Sequence, residues 1–598
     1  MSVLQTTVLT LLGLWGAWIP PVLPSCTTGQ PVECSAAQSA PGTNLGGEGF
    51  DVVTMERKQA YVVDVDKWRK TQNGTCTLCV NPFMKGQTQR LPVAVVDWRP
   101  SQQCHMKISS TVYDSSEAFV SQSPTEVDAS WKIGLNLMTP KVKQSIMLGG
   151  THSRTARRVM EQSKKDKYSF IKQETHCSYY SYRLIEDPPL HPEFSRSLGL
   201  LPNLYTPQTK AEYTRFLDTF GTHYIRKVQL GGRVKSVTSL RVCKAALNGY
   251  NENEVKDCLE AEASRATNTA TAEVNTETKF CQKNHQDSFS SRFKDRFTEV
   301  VGGQTDGATD LLFSRTGGTS KGFTDWAKTL KTVPDIINYF LHPLHLLVKH
   351  ASKRRGLKKA VEDYILEHGL VKHCSGKCKS GSKPSAHDSC QCVCQASKEM
   401  TSQCCPQEKG LARLKVTIKY ARGLYGDTMS QTDGFVKVFL DNQFKQTGVI
   451  YNNDNPTWNT VLDFGTVKLS LASELKFAVY DDDNTWFKTS NELLGKCIIR
   501  PIKAGSHKNE MCSLNHGNLF YSYMVECAPG LGGPTCGEYV SSPMNSDLSG
   551  IYTSRNALNM TQDLLAHIRM SRPPVDPLAF MMKQKANDHP RLSALNEL

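Results

Sequence analysis

The chain has 598 residues, of which 39% are hydrophobic and 21% are charged. This composition excludes a membrane protein built from many apolar helices, and it excludes a disordered chain. Lys and Arg number 71 against 57 Asp and Glu, and the resulting net charge of +14 favours an anionic partner such as nucleic acid, glycan or lipid headgroups. At about 150 residues per domain, the length predicts roughly four domains.

The N-terminal segment and the cysteines predict a secreted protein. The apolar run over 8–22 is too short for a spanning helix, so we predict that residues 1–24 form a cleaved signal peptide, with an uncleaved anchor as the alternative. Twenty cysteines, an even number, are too many for a reducing compartment without metal. Asn73 and Asn559 each begin an Asn-X-Thr sequence, which predicts glycosylation.

Four segments with different patterns follow the signal peptide. Residues 25–372 alternate strand-like runs with helix-prone stretches, and one predicted strand has apolar residues at every second position, at Trp131, Ile133, Leu135 and Leu137. Residues 373–408 are dense in cysteine and need disulfides, or zinc as the alternative, to form a stable unit. In residues 409–540 apolar and polar residues alternate, which is typical of an all-β domain. Residues 541–598 contain no cysteine and form a predicted tail with one helix at 559–570.

Acidic side chains gather in the all-β segment, at predicted strand ends: Asp427, Asp433, Asp481, Asp482, Asp483 and Glu492, with Asn491 beside the last. Carboxylates this close together repel one another unless a cation lies among them, and Ca²⁺ suits such oxygen ligands better than Mg²⁺. A solvated acidic loop is the alternative. An EF-hand is another, because Glu492 is the twelfth residue from Asp481, although Trp486 stands where that loop needs glycine.

The same segment resembles a C2 domain through Gly423-Leu-Tyr-Gly-Asp427, Asp433-Gly-Phe-Val-Lys437 and Asn455-Pro-Thr-Trp-Asn459. The resemblance implies an eight-stranded sandwich whose loops at one end bind Ca²⁺ and lipid headgroups. Its implied ligands are Asp427, Asp433, Asp481, Asp483 and, at the fifth position, Glu492 or Asn491. The loops also carry candidate membrane-contact side chains, unless these fold onto the sandwich: Tyr425, Met429, Trp486 and Phe487.

The large N-terminal segment carries a sharper motif. Tyr213 is followed, after six residues, by Phe220-Gly221-Thr222-His223-Tyr224, and two glycine pairs lie further along, at Gly231-Gly232 and Gly302-Gly303. With the cysteine block and the C2-like segment in this order, the chain resembles the membrane-attack-complex/perforin (MACPF) family. The resemblance implies a multidomain α+β protein: a bent central antiparallel sheet flanked by helical clusters, with the glycines at its bend, then a small disulfide-rich EGF-like module and an all-β C2 sandwich.

In this family, two helical clusters unfurl into membrane-crossing hairpins, and the corresponding segments here are 138–170 and 254–300. In the second segment Phe289, Phe293 and Phe297 recur every four residues, which places them on one face of a helix or of a strand. We expect this face to meet lipid, although Asp295 falls on it. An ordinary amphipathic helix explains the same period.

The resemblance also implies a complete set of disulfides: Cys26–Cys79, Cys34–Cys76, Cys104–Cys177, Cys243–Cys405, Cys258–Cys281, Cys374–Cys390, Cys378–Cys392, Cys394–Cys404, Cys497–Cys512 and Cys527–Cys536. Read alone, Cys76-Thr-Leu-Cys79 also has the spacing of a thioredoxin-type redox pair, although no βαβ pattern surrounds it.

These features predict a calcium-dependent pore-forming cytolysin that is secreted, is stored in cytolytic granules and assembles as a homo-oligomeric ring on the phospholipid membrane of a target cell, without nucleic acid. A non-lytic lipid-binding protein is the alternative. The chain is not expected to be an enzyme: Ser320 lies in a Gly-X-Ser-X-Gly pattern typical of hydrolases, but the residues before it read as a turn, and Ser320 is expected to cap a helix at 323–330.

Overall fold

The computed structural model describes residues 26–122, 126–137, 146–163, 166–267, 281, 290, 293–305, 310–313, 321–371, 382–384, 392–426, 428, 430–483 and 491–540. The predicted signal peptide, the tail and Ser320 lie outside these ranges. Within them, no helix combines the length and the apolar character that crossing a membrane would require.

The N-terminal region is an α+β arrangement. Its strands are β1 (Cys26–Gly29), β2 (Glu48–Asp51), β3 (Glu56–Tyr61), β4 (Cys76–Asn81), β5 (Gln87–Leu91), β6 (Val95–Tyr113), β7 (Ile146–Met147), β8 (Tyr168–Leu184), β9 (His223–Arg241), β10 (Arg296–Val301), β11 (Asp335–Pro343) and β12 (Leu370–Val371). Its helices are α1 (Pro31–Ala36), α2 (Ser116–Gln122), α3 (Arg154–Ser163), α4 (Pro192–Leu200), α5 (Lys210–Phe220), α6 (Val242–Ala246), α7 (Glu252–Ala266), α8 (Lys321–Thr329) and α9 (Ala351–Glu367), with 3₁₀ turns at Pro82–Met84, Ala129–Lys132 and Leu344–Leu347. The helix predicted at 323–330 is confirmed by α8.

The central antiparallel sheet is organised around β9. Its strand order is β3-β2-β9-β8-β6, and both β10 and β11 also pair with β9. Strand β9 is 19 residues long and rich in β-branched Ile, Val and Thr, which favour extended backbone. Its residues 223–231 pair with β11, and its residues 233–238 pair with β10. The change of partner therefore falls at Gly231-Gly232.

Strand β9 is buried on both faces, and some of the buried side chains are charged. Lys235 Nζ lies 2.7 Å from a carboxylate oxygen of Glu126 and 2.7 Å from one of Glu299, and Arg233 Nη2 lies 3.4 Å from Glu126. We call these four residues the charge cluster. Burial raises the pKa of Glu126, but the two cations outweigh it and lower that pKa to about 2. The cluster joins the segment around Glu126 to β9 and β10.

The strand predicted over Trp131–Leu137 is wrong. Trp131 lies in the 3₁₀ turn Ala129–Lys132, and residues 133–137 are irregular, with Gly134 at a φ of +79°. Trp131 and Leu137 are buried but Ile133 is 69% exposed, so the alternating apolar residues do not form one buried face. An irregular segment that touches the core at intervals can thus imitate a half-buried strand.

The C-terminal region is all-β, with two short strands before a sandwich and a short pair after it: β13 (Ser382–Pro384), β14 (Cys392–Cys394), β15 (Leu411–Arg422), β16 (Gly434–Leu440), β17 (Gln443–Gln446), β18 (Thr457–Lys468), β19 (Leu475–Asp481), β20 (Glu492–Ile499), β21 (Gly505–Ser513), β22 (Asn518–Cys527), β23 (Leu531–Gly532) and β24 (Glu538–Tyr539). The sandwich consists of two four-stranded antiparallel sheets, ordered β18-β15-β22-β21 and β17-β16-β19-β20. The fold class expected from the sequence is confirmed here, because Leu414, Val416 and Ile418 of β15 alternate into the core.

Disulfides and polar contacts hold the regions together. The bonds between described cysteines are Cys26–Cys79, Cys34–Cys76, Cys104–Cys177, Cys243–Cys405, Cys258–Cys281, Cys394–Cys404, Cys497–Cys512 and Cys527–Cys536. The pairs Cys374–Cys390 and Cys378–Cys392 include residues outside the described ranges. Because Cys76 and Cys79 bond to other partners, the thioredoxin-type interpretation is wrong. Beside Cys243–Cys405, the Tyr539 hydroxyl donates to Asp166 Oδ1 at 2.6 Å, and Lys167 Nζ donates to the Gln403 carbonyl at 2.6 Å.

The charge cluster predicts a pH-dependent contribution to stability. The folded pKa of Glu126, about 2, lies below its ordinary value of 4.5. Its ionised form therefore stabilises the fold above about pH 4.5, and this stabilisation, on the order of 3 kcal/mol, is lost as the pH falls towards 2. We expect Glu126→Gln to lower the free energy of unfolding at pH 7 by about 3–5 kcal/mol, because it leaves buried cations without compensation.

Urea unfolding of the full chain at pH 7 and at pH 3 tests this expectation, and the difference between variant and wild type should shrink at pH 3. The control is Glu186→Gln, since Glu186 pairs with Arg226 but is 89% exposed. It should change the free energy of unfolding by less than about 1 kcal/mol. Equal effects of the two variants at pH 7 would show that burial of the charge cluster contributes no stability.

Candidate calcium and membrane sites

The predicted calcium ligands that the structure describes lie at one end of the C-terminal sandwich. Asp433 directly precedes β16, Asp481 ends β19, and Glu492 begins β20. In the strand register, Gly434 is opposite Asp481, and Asp481 is opposite Glu492. The Asp433 N–H donates to Asp481 Oδ1 at 2.6 Å, and the Asp482 N–H donates to the Asp433 carbonyl at 2.9 Å. These acidic residues are therefore brought together by strand pairing.

The carboxylate oxygens of these residues are suitable ligands for a hard cation. Asp481 is 2% exposed and Asp483 is 8% exposed, and carboxylates are rarely buried so far without compensation. The donors are oxygens alone, as Ca²⁺ prefers with its six to eight or so ligands. Asp427 lies outside the described residues, and among those described no group of three or more His, Cys, Asp or Glu forms a metal cluster. The EF-hand interpretation is wrong, because strands rather than helices flank the loop from Asp481 to Glu492.

The loop that connects β15 to β16, residues 423–433, is called the first acidic loop, and it approaches Asp481 closely at Gly426. A Cβ atom added to Gly426 would lie 1.9 Å from Asp481 Oδ2, so only glycine fits at this close approach. Tyr425, next to it, is 51% exposed, with its ring centroid 5.9 Å from that of His516. Asn491 is half-buried and Glu492 is exposed. The other predicted membrane-contact residues, Met429, Trp486 and Phe487, lie outside the described ranges.

The motif from Tyr213 to Tyr224 builds the junction between α5 and β9. Tyr213 is buried and donates its hydroxyl to the Pro202 carbonyl at 2.8 Å. Phe220 ends α5 and packs edge-on against Phe194, Gly221 caps the helix, and Tyr224 is buried at the start of β9. The motif residues are thus placed to build the junction rather than to contact a ligand.

His223 is the polar centre of this junction. It is fully buried, and burial lowers its pKa to about 3, so the ring is neutral. Its Nε2 lies 2.8 Å from the Trp131 carbonyl, which can only accept, so Nε2 carries the proton. Its Nδ1 then accepts from the Thr222 hydroxyl at 2.8 Å, and that hydroxyl oxygen accepts the Val52 N–H at 3.2 Å. His223 therefore fixes the irregular segment at Trp131 to the sheet.

The four glycines of the predicted bend meet at one place. A Cβ on Gly302 would lie 2.2 Å from the Gly231 carbonyl oxygen, so the two backbones approach as only glycine permits. Gly232 and Gly303 both face the indole of Trp326, whose N–H donates to the Gly302 carbonyl at 2.8 Å. The four glycines meet at the point on β9 where the paired strand changes from β11 to β10.

The three phenylalanines of the second hairpin segment are described only in part. Phe289 lies outside the described residues, and Phe293 is half-buried against the core. Phe297 belongs to strand β10, opposite Val237, so the alternative of an ordinary amphipathic helix is wrong at this position, and contact of this face with lipid stays a prediction. A period of four is even, and for this reason it could not distinguish a helix from a strand.

The two segments also contact each other. Arg158 of α3 donates to Asp295 Oδ1 at 2.8 Å, and its guanidinium lies 6.0 Å from the centre of the Phe297 ring. Arg154 of the same helix donates to Glu56 of β3 at 2.9 Å. A cavity of 830 Å³ lies between α2, α3 and the sheet, and the charge cluster lines it. Helix α3 is thus attached to the sheet through ion pairs beside this cavity and through the apolar packing of Ala156 and Val159.

Asn73, a predicted glycosylation site, is exposed in a turn, whereas Asn559 lies outside the described residues. Sequence reasoning did not find Glu126, Lys235 or Asp454, which the structure places in the charge cluster and beside the calcium loops. A buried strand that carries two cations, Arg233 and Lys235, was the available signal for the cluster, because such charges need acidic partners.

The close approach of Gly426 to Asp481 predicts the effect of one added methyl group. Gly426→Ala should displace the Asp481 carboxylate and weaken calcium affinity about tenfold, a change of the size seen when the support of a metal ligand is lost. Isothermal titration of the full chain with calcium measures this. The control is Gly448→Ala, because a Cβ there meets nothing within 4 Å. Unaltered calcium affinity in Gly426→Ala would exclude Asp481 from the site.

Comparisons with known proteins agree with this architecture. The MAC/Perforin domain model matches residues 40–374, a Perforin-1-like EGF domain model matches 373–407, and the C2 domain model matches 412–514. Perforin-1 of Rattus norvegicus is 38% identical over 549 residues, which cover 90% of this chain and 98% of that protein. Perforin-1 of Homo sapiens is 37% identical over 525 residues, or 86% of this chain and 93% of that protein.

The chain is also similar to more distant proteins. Complement component C8 alpha chain of Oryctolagus cuniculus is 20% identical over 63% of this chain and 67% of its own length. The crystal structure of GNIP1Aa from Chromobacterium piscinae covers 89% of this chain and 98% of its own, at 12% identity and a TM-score of 0.41. The family model spans more than half of the chain, and the perforin-1 sequences align over nearly all of it, so the chain belongs to the MAC/Perforin family, with an EGF and a C2 domain after its MACPF domain.

Proposed function

We propose that this protein is a calcium-dependent pore-forming cytolysin. It binds the phospholipid of a target cell through its C2 domain, assembles into a homo-oligomeric ring and inserts hairpins to open a pore. Its perforin-1 relatives and its MACPF and C2 domains support a membrane-binding, pore-forming role. The observation that carries the calcium dependence is the pairing of Asp433, Asp481 and Glu492 at one end of the sandwich. Secretion from cytolytic granules belongs to the same proposal.

The acidic loops act as a charge switch in this proposal. Asp427, Asp433, Asp481 and Asp483 would hold the ion, with Glu492 or Asn491 at the fifth position. Bound calcium neutralises these carboxylates, so that anionic headgroups are no longer repelled. Tyr425 is half exposed beside the loop and can then enter the membrane interface with Met429, Trp486 and Phe487.

The MACPF contacts support release of the helical segments. The Arg158 and Asp295 side chains are 41% and 32% exposed, and those of Arg154 and Glu56 are 79% and 42% exposed. Ion pairs this exposed contribute little, from nothing to about 1 kcal/mol each. Part of the space beneath α3 is a cavity that the charge cluster lines, but Ala156 and Val159 of the helix also pack in an apolar cluster with Phe119, Phe170 and Val237. The ion pairs therefore offer little resistance to release, and the apolar cluster is the contact that the released helix must leave.

The first test separates calcium binding from membrane docking. Asp433→Asn should abolish calcium binding and calcium-dependent co-sedimentation with anionic liposomes together, because it removes a ligand. Trp486→Ala should leave calcium affinity nearly intact and weaken co-sedimentation, because burial of one such side chain contributes up to about 3 kcal/mol. Leakage of dyes of different sizes then reports the pore. If Asp433→Asn still sediments as a function of calcium, the switch lies elsewhere, and binding without leakage of any dye favours the non-lytic alternative.

The second test concerns the contact between the two segments. Asp295→Asn should remove the ion pair with Arg158 and speed dye release up to about fivefold, the equivalent of 1 kcal/mol in a barrier. The exchange variant Arg158→Asp with Asp295→Arg restores opposite charges and should return the rate to that of wild type. The control is Glu186→Gln, which weakens an exposed pair elsewhere in the domain. Release at the wild-type rate in Asp295→Asn would show that this contact does not restrain insertion.

A further inference from the structure

A second loop supports the calcium loops from the side. Residues 450–455 connect β17 to β18 and run alongside the loop between β15 and β16. Ile450 and Gly434 exchange two backbone hydrogen bonds of 3.0 Å each, which fix this loop to the first residue of β16. The Trp458 indole N–H adds a bond to the Gly434 carbonyl at 3.3 Å. The supporting loop is therefore anchored next to Asp433.

Asp454 holds both ends of the first acidic loop. Its Oδ1 accepts the Thr432 N–H at 3.0 Å and the Thr432 hydroxyl at 2.9 Å. Its own carbonyl accepts the Leu424 N–H at 2.9 Å. Leu424 begins this loop and Thr432 ends it, with Asp427 between them. One residue thus fixes the separation of the two ends.

The supporting loop also orients Asp433 directly. The Asn453 N–H donates to the Thr432 carbonyl at 2.8 Å, and the Asn452 N–H donates to Asp433 Oδ1 at 2.6 Å. Together with the Asp433 N–H bond to Asp481, these contacts fix both the main chain and the carboxylate of Asp433. Thr432 is fully buried, so a lost hydroxyl partner there is not replaced by solvent.

We propose that Asp454 is a positioning residue for calcium binding. It sets the first loop, and through Thr432 the Asp433 carboxylate, in the ion-binding arrangement before calcium arrives, and it does not itself ligate the ion. The physical benefit is preorganisation, because the free energy of binding is then not spent on ordering the loop. This inference rests on the calcium binding proposed above.

The test compares variants of the full chain. Asp454→Ala removes the acceptor, and calcium affinity from isothermal titration should fall about tenfold, as for other residues that support metal ligands. The calcium midpoint for co-sedimentation with anionic liposomes should rise by a similar factor, with the plateau retained. Asp454→Asn keeps an acceptor oxygen at this position and should retain affinity within about twofold. Asp463→Ala removes an acidic residue from the exposed strand β18 and serves as the control for charge.

Thr432→Val replaces only the hydroxyl with a methyl group, and it tests the same inference if Asp454→Ala fails to fold. It should weaken calcium affinity in the same direction, Thr432→Ser should restore it, and thermal unfolding without calcium shows whether the fold is intact. Unchanged affinity in both Asp454→Ala and Thr432→Val would overturn the inference. So would a loss in Asp454→Asn equal to that in Asp454→Ala, because charge rather than positioning would then be the cause. Absence of calcium binding by the wild type would instead overturn the proposed function.

Discussion

Arg233 and Lys235 are cations on strand β9, which is buried on both faces. Both charges need acidic partners close by, and the neighbouring segments supply them. The carboxylates come from Glu126, outside the sheet, and from Glu299 on β10, and Glu174 on β8 adds a third at 3.9 Å from Arg233. Lys172 is also buried and lies 3.0 Å from Glu174, so three cations face three carboxylates, and removal of any one carboxylate would leave a buried positive charge in excess, which is costly. The sheet is therefore complete only when all of these elements are in place.

The same cluster explains why polar side chains are acceptable in the middle of this domain. A sheet covered on both faces normally carries apolar residues, yet here the charge cluster lines a cavity between the sheet and helices α2 and α3. Exposed ion pairs such as Arg158–Asp295 add little net stability, whereas loss of one partner from a buried cluster is costly. The C2 sandwich is built differently, with an apolar core and its predicted calcium ligands at one end. The two domains thus carry buried charge in different places: the first in the middle of its sheet and the C2 domain at one end of its sandwich.

The sequence predicted the C2 sandwich well because the alternation of Leu414, Val416 and Ile418 reflects strands with one buried face. The same rule failed at Trp131, where an irregular segment is held by a hydrogen bond to His223, 92 residues away. At Phe297, the period of four fitted two kinds of element equally well. The role of Asp454 could not be predicted, because it depends on contacts between loops whose proximity only the folded sandwich defines.

The disulfide Cys258–Cys281 has a geometric consequence for any hairpin made from this part of the chain. The β9–β10 register, with Arg296 opposite Thr238, would set Cys258 opposite Thr276 if it continued without interruption. Cys258 is bonded instead to Cys281, five positions further along. The disulfide cross-links two chain segments of unequal length. In an extended hairpin, either the surplus residues bulge out or a new strand register begins beyond the disulfide. A covalent bond, rather than the apolar pattern, therefore decides which residues can face each other there.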